Sequence, residues 1–144
     1  MDEKLKKVLV EEILRARERI YRINRPTPIE LIEIENIEAE IYLKREDLSS
    51  INSYKWRGAY NSISMLSEED RKKPIIAASA GNHAQGVAMA ARLLGLTSKI
   101  YMPRSTPQMK QVAVDRHGKG SSEIILVGDT SMTFFIVMPQ SMSR

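Results

Sequence analysis

From Pro74 onward the sequence alternates short apolar runs with longer amphipathic ones, and few folds accept a chain that does this. "PIIAAS" (74–79) reads as a strand, "HAQGVAMAARLL" (83–94) as a helix and "SKIYMP" (98–103) as a second strand. "TPQMKQVAVDRHG" (106–118) follows as a helix and "EIILVG" (123–128) as a third strand. Gly95 and Gly118 stand where a helix C-cap wants a positive φ, and Thr106 before Pro107 reads as an N-cap with proline at the first helical position. Strands that alternate with helices lie parallel, because each helix makes the crossover between two strands running the same way. The expected fold class is therefore α/β, an open parallel sheet with helical crossovers, whose ligands bind at the carboxyl ends of the strands.

Upstream the text is different. Between Lys4 and Ile23 the apolar residues Leu5, Val8, Leu9, Ile13, Leu14 and Ile20 recur at steps of three, four and seven, which predicts an amphipathic helix with a charged outer face. It stops before "NRPTPIEL", where two prolines forbid continuation. "AEIYLK" (39–44) reads as a strand and "REDLSSINS" as a polar loop. A further helix runs from about Ser53 to Leu66, with Tyr54, Ala59, Ile63 and Leu66 on one side. After Gly128 the tail "DTSMTFFIVMPQSMSR" holds one acidic residue, at its start, and three of the chain's eight methionines. Phe134 to Met138 is long enough for one strand, but no helix precedes it to make the crossover, and a truncated or frame-altered end is expected.

Composition narrows the chemistry. With 144 residues, 42% of them hydrophobic, the chain has room for one compact domain and not for a second of ordinary size. A net charge of +4, scattered rather than in a block, does not favour nucleic acid as a partner. The lack of cysteine excludes disulfides, thiolate metal sites and a cysteine nucleophile. The first residues mix acids with bases, unlike a secretory or transit peptide, and no apolar run approaches about 18 residues. The expectation is a soluble, cytoplasmic protein with no membrane partner.

Three stretches hold groups that can do chemistry. In "SAGNHAQG" (79–86) Ser79 ends a strand, Gly81 permits a tight turn, and Asn82 with the N–H groups of His83, Ala84 and Gln85 opens a helix. Such a helix start is a ready site for a carboxylate or phosphate, although Asn82 and Gly81 are also what a plain cap and turn require. In "SINSYKWRGAY" (50–60) Lys55 lies between Tyr54 and Trp56 at the start of a helix. A lysine acts as a nucleophile only without its proton, and apolar surroundings disfavour the charged form. The two aromatics either supply those surroundings or are ordinary core residues. In "LKREDLSS" the charges of Lys44, Arg45, Glu46 and Asp47 read as a solvated cluster of modest worth. His83 and His117, the only histidines, sit on different elements and make no metal site.

Together, "PTPIEL", "YLKREDL", "SYKWRGAY" and "SAGNHAQGVA" resemble, in order and spacing, the N-terminal part of the fold-type II pyridoxal-phosphate enzymes, and within them the threonine dehydratases. The resemblance runs from about Arg25 to Val127. It implies that the open sheet is the small domain of such an enzyme, truncated, with pyridoxal phosphate as cofactor. Lys55 then forms the Schiff base and later serves as base for the Cα proton, Tyr54 lies by the cofactor ring, and Asn82 bonds the ring's 3′ oxygen. Ser79, Ala80, Gly81, Asn82 and His83 hold the carboxylate of an amino-acid substrate, threonine or serine. Ala80 stands where the serine racemases carry a second serine, which favours a dehydratase, a lyase of amino-acid metabolism and isoleucine biosynthesis. Trp56, Ile51 and Tyr54 depart from the commoner residues beside the lysine.

By the same resemblance residues 1–48 are the helix and strand of a large domain, 49–128 the small cofactor-site domain and 129–144 an atypical tail. The family's glycine-rich phosphate loop, and the serine or cysteine that meets the pyridine nitrogen, lie beyond the region covered. Weak or absent turnover by this chain alone is expected. The alternative is a non-catalytic interaction module that pairs with its own copy or with a full-length paralogue.

Overall fold

The computed structural model describes residues 2–128; the tail from Asp129 on lies outside the described residues. The chain divides into two compact units, Met1–Ser53 and Tyr54–Arg144.

In the first unit helix α1 spans Glu3–Tyr21, with the Asp2 carboxylate accepting from the Lys4 N–H at 3.2 Å as its N-cap. Only Ile20 of this helix is buried. Its other apolar residues, Leu5, Val8, Leu9, Ile13 and Leu14, are exposed. Strand β1, Ile29–Ile32, pairs antiparallel with β2, Ile41–Lys44, in the register Ile29 to Lys44 and Ile32 to Ile41. The reading of 39–44 is thus trimmed to its last four residues. β1 itself was not expected, because its residues directly follow the prolines that stop α1. The charged stretch after β2 ties the hairpin to its loop. Arg45 bonds both the Glu30 and the Asp47 carboxylates, and the Thr27 hydroxyl donates to Glu46 at 2.7 Å. The Arg45 guanidinium, bonded to it, holds the Asp47 carboxyl below its ordinary range, while Arg45 itself stays charged at any accessible pH.

The second unit is the α/β part. Helix α2 spans Lys55–Ser64, β3 Ile75–Ala78, α3 Asn82–Leu93, β4 Ser98–Pro103, α4 Gln108–Gly118 and β5 Ser122–Val127. The three strands form one parallel sheet in the order β3-β4-β5, with α3 and α4 as the crossovers. This is the open parallel sheet the alternation predicts. Ile100 and Met102 of the middle strand are fully buried. α3 lies against α2, α4 and the sheet at once, which its small residues permit: Ala84, Gly86, Ala88, Ala90 and Ala91 are all buried.

Local details differ from the sequence reading in ways that have physical causes. The buried face of α2 is Trp56, Ala59, Tyr60 and Ile63, an i, i+3, i+4, i+7 set that leaves Tyr54 and Leu66 out of it. α4 begins at Gln108 with Pro107 as N-cap, so Thr106 does not cap it, and its buried hydroxyl has no partner among the described residues. Gly95 has the expected positive φ, 69°, after the end of α3. Gly118 does not: the left-handed residue is Lys119, at φ 47° and ψ 48°. Glycine is needed at 118 for room, since an added Cβ would stand 2.5 Å from Ser122 Oγ, which is itself hydrogen-bonded to Ser98 Oγ at 2.7 Å.

Candidate active site

β3 ends at Ala78, and the chain turns at once into α3. Ser79 is buried and still joined to the sheet, its N–H donating to the Tyr101 carbonyl at 3.0 Å. Its hydroxyl accepts a 3.4 Å bond from the Gly81 N–H. Gly81 is the N-cap of α3, at φ −133° and ψ −152°, extended backbone that other residues also adopt. The turn therefore does not draw on glycine's conformational freedom. An added Cβ at Gly81 would meet nothing within 4 Å, so the turn faces open space.

Asn82 is the first helical residue and is exposed, and no side chain caps the helix. Its amide is left for other work. The Gln85 N–H already bonds the Gly81 carbonyl at 3.4 Å, so the open donors are those of Asn82, His83 and Ala84, one residue earlier than expected. Three such N–H groups at the positive end of a 12-residue helix form a place for a carboxylate. Ala80 is half-buried and offers no hydroxyl.

Lys55 opens α2, immediately after Tyr54 at φ −65° and ψ −16°. Its Nζ stands 5.6 Å from the centroid of the Tyr54 ring, within cation–π range. The two aromatics around it have parted. Trp56 is 0% exposed and belongs to the core, while Tyr54 is 60% exposed. Lys55 is exposed as well, so neither ring removes its amine from water.

His83 connects the two helix starts. Burial first, then the charge of Lys55, pushes its imidazole below the ordinary histidine value, so the first turn of α3 and the amine of Lys55 are electrostatic neighbours. His117 is also depressed, by burial and by Arg116 and Arg92, but it sits near the far end of α4. The described residues hold no group of three or more His, Asp or Glu that could bind a metal. No helix among them is long and apolar enough to cross a membrane.

The residues present fit pyridoxal phosphate at its ring and at the substrate end. They offer a lysine amine, the uncommitted Asn82 amide, three helix N–H donors and clear space over Gly81. A phosphate cradle is not among them. The one glycine-rich turn of the described residues, Gly118–Gly120, leads into the amino end of β5, and Ser79 stands at the carboxyl end of β3. One residue that matters here escaped the sequence reading: Gly86, the second glycine of the motif. It lies inside a helix, where glycine is disfavoured by roughly 1 kcal/mol relative to alanine, and that was the available signal.

A family profile described as pyridoxal-phosphate dependent enzyme matches residues 20–140. The biosynthetic L-threonine dehydratase of Bacillus subtilis is 44% identical over 125 residues, which is 85% of this chain and 30% of that protein. The same enzyme of Staphylococcus aureus is 45% identical over 125 residues, with the same two shares of 85% and 30%. Among solved structures, the processed form of threonine deaminase isoform 2 from Solanum lycopersicum superimposes with a TM-score of 0.78 at 39% identity, over 90% of this chain and 35% of that one. Maize serine racemase gives 0.75 at 33% identity, over 85% and 36%. The chain thus spans about a third of the length of these relatives.

Proposed function

Because the chain belongs to the pyridoxal-phosphate dependent enzymes, we propose that it is the lysine-bearing part of a threonine or serine dehydratase of the cytoplasm, with Lys55 as the amine that carries the cofactor. In this reading residues 49–128 form the cofactor-site domain and residues 1–48 belong to a second domain. The observation that supports it best is the meeting of Lys55 with the uncapped first turn of α3, felt at His83.

Bound pyridoxal phosphate supplies the electron sink for the charge left on Cα when its proton departs. The chain's own residues do the rest. The N–H groups of Asn82, His83 and Ala84 orient the substrate carboxylate, with Ser79, Ala80 and Gly81 shaping the turn behind them. The Asn82 amide would hold the ring's 3′ oxygen, and Tyr54 would be the aromatic beside the ring. The Lys55 amine takes the Cα proton onto Nζ. Loss of the β-hydroxyl as water, regained on hydrolysis, leads to a 2-oxo acid and ammonia. Ala80 has no hydroxyl to act as a base on the opposite face, which supports elimination over racemisation. With no phosphate cradle among the described residues, cofactor capture by this chain alone is weak and turnover slight or nil.

The test is to incubate the purified chain with pyridoxal phosphate, reduce with borohydride, and map the pyridoxyl group by mass spectrometry in wild type and Lys55→Ala. A label concentrated on Lys55, and gone in the variant, is the expected result. Labelling spread evenly over the surface lysines of both proteins removes the reading.

A second reading, an interaction module without catalysis that pairs with its own copy or a longer paralogue, is favoured by the exposed apolar stripe of α1. Sedimentation of the chain as a monomer, alone and with a longer paralogue, would dismiss it.

A further inference from the structure

The first turn of α2 meets α3 at Gly86, main chain to main chain. A Cβ built on Gly86 would stand 3.1 Å from Trp56 Cα, 3.2 Å from Trp56 N and 3.4 Å from the Lys55 carbonyl carbon. All three are backbone atoms, so no side chain can swing aside to make room. Gly58 and Gly81 differ: a Cβ at either would meet nothing within 4 Å. Nor can α2 slide easily along the contact, because Trp56 is held in the core. His83 precedes Gly86 by three residues, so the two share a face of α3, the face that meets the Lys55 end of α2.

We propose that Gly86 is a positioning residue for Lys55: the glycine seat sets how closely the lysine amine stands to His83 and to the 79–83 turn. A methyl group in the seat drives the start of α2 outward by a few tenths of an ångström before ordinary contact distances return. The amine extends from that start and moves with it. The functional meaning rests on the reading of Lys55 as the cofactor's amine, whereas the geometry does not.

His83 reports on the seat. Its imidazole feels the Lys55 charge. On the same helix, α2, Arg57 lies over the Trp56 ring, 4.9 Å from its centroid. β3 has no ionisable residue, and the charges on the other elements against α3, such as Lys110 and Asp115 of α4, Lys99 of β4 and Glu123 of β5, do not shift His83. The only other histidine, His117, is governed by burial, Arg116 and Arg92, and serves as an internal control.

The experiment is a histidine-ring NMR titration of the full chain without cofactor, in wild type, Lys55→Met, Gly86→Ala and Gly58→Ala. Lys55→Met should raise the His83 midpoint. Gly86→Ala should move it part of the same way, while Gly58→Ala, the same methyl on an open face, leaves it alone and His117 stays put throughout. A folded Gly86→Ala protein with an unmoved His83, where Lys55→Met does move it, overturns the proposal. So does an unmoved His83 in Lys55→Met. If Gly86→Ala does not fold, wild type decides through the nuclear Overhauser contact between the α protons of Gly86 and Trp56, whose absence is equally fatal. No cofactor enters the titration, so its outcome and that of the labelling experiment are separable.

Discussion

Glycines at three helical positions have three different consequences. Gly58 is exposed inside α2 with open space around it, so Gly58→Ala should stabilise the chain by about 0.5–1 kcal/mol, read as a higher urea midpoint. Gly118→Ala should destabilise the chain by about 1–3 kcal/mol, read as a lower midpoint, because the new methyl displaces Ser122 and breaks its bond to Ser98. Gly86→Ala tests the seat described above. From sequence Gly118 reads as a C-cap and Gly58 and Gly86 only as small residues in helical text, since what separates the three is the distance to atoms far along the chain. The histidines were equally opaque. Both are depressed mainly by burial, so the unfolded chain binds protons more readily than the folded one. Stability is therefore full above the ordinary histidine value of 6.5 and falls as pH drops through it toward the lower folded values. The urea midpoint should decline between about pH 7.5 and about pH 5.5, and less so in a His83→Gln, His117→Gln double variant. An equal decline in both proteins would assign the effect to other groups.

Helices and strands were legible to the extent that their periodicity met a packed surface. In the second unit every strand and helix read from the pattern is present, with ends moved by two residues at most. β1 was hidden because four residues, "IELI", after two prolines are too few to establish alternation. α2 was found but mis-phased: starting the apolar face at Tyr54 rather than Trp56 turned the wrong aromatic inward. α1 has the period read from the sequence, yet the stripe that period defines is uncovered apart from Ile20. A charged pair there, Leu9→Glu with Ile13→Glu, should change stability by less than about 0.5 kcal/mol. In α3, Ala88→Leu should lower it by about 1–3 kcal/mol or more, because Ala88 is wholly enclosed. Chemical denaturation of the two variants side by side checks the contrast.

For the chain as one object, the site and the core belong to the same unit. Tyr54, Lys55 and the turn 79–83 all fall in Tyr54–Arg144, where α2, which Lys55 opens, packs on α3. The motifs single out Lys55 and the 79–83 turn, which the fold places at the starts of α2 and α3, but not the exposure of Lys55, which depends on where each aromatic packs. Amide hydrogen exchange should be slowest at Ile100 and Met102 in the middle strand and fastest in the first turns of α1. Fast exchange in β4 would mean that the sheet is not the stable centre. The strand order has one more consequence, and it concerns synthesis. β2 pairs with β1, β4 with β3 and β5 with β4, so each new strand joins one already made. Among the described strands, a ribosome releasing the chain from its N-terminus leaves none waiting for a partner from later than the next strand, and the sheet can grow at the pace of translation.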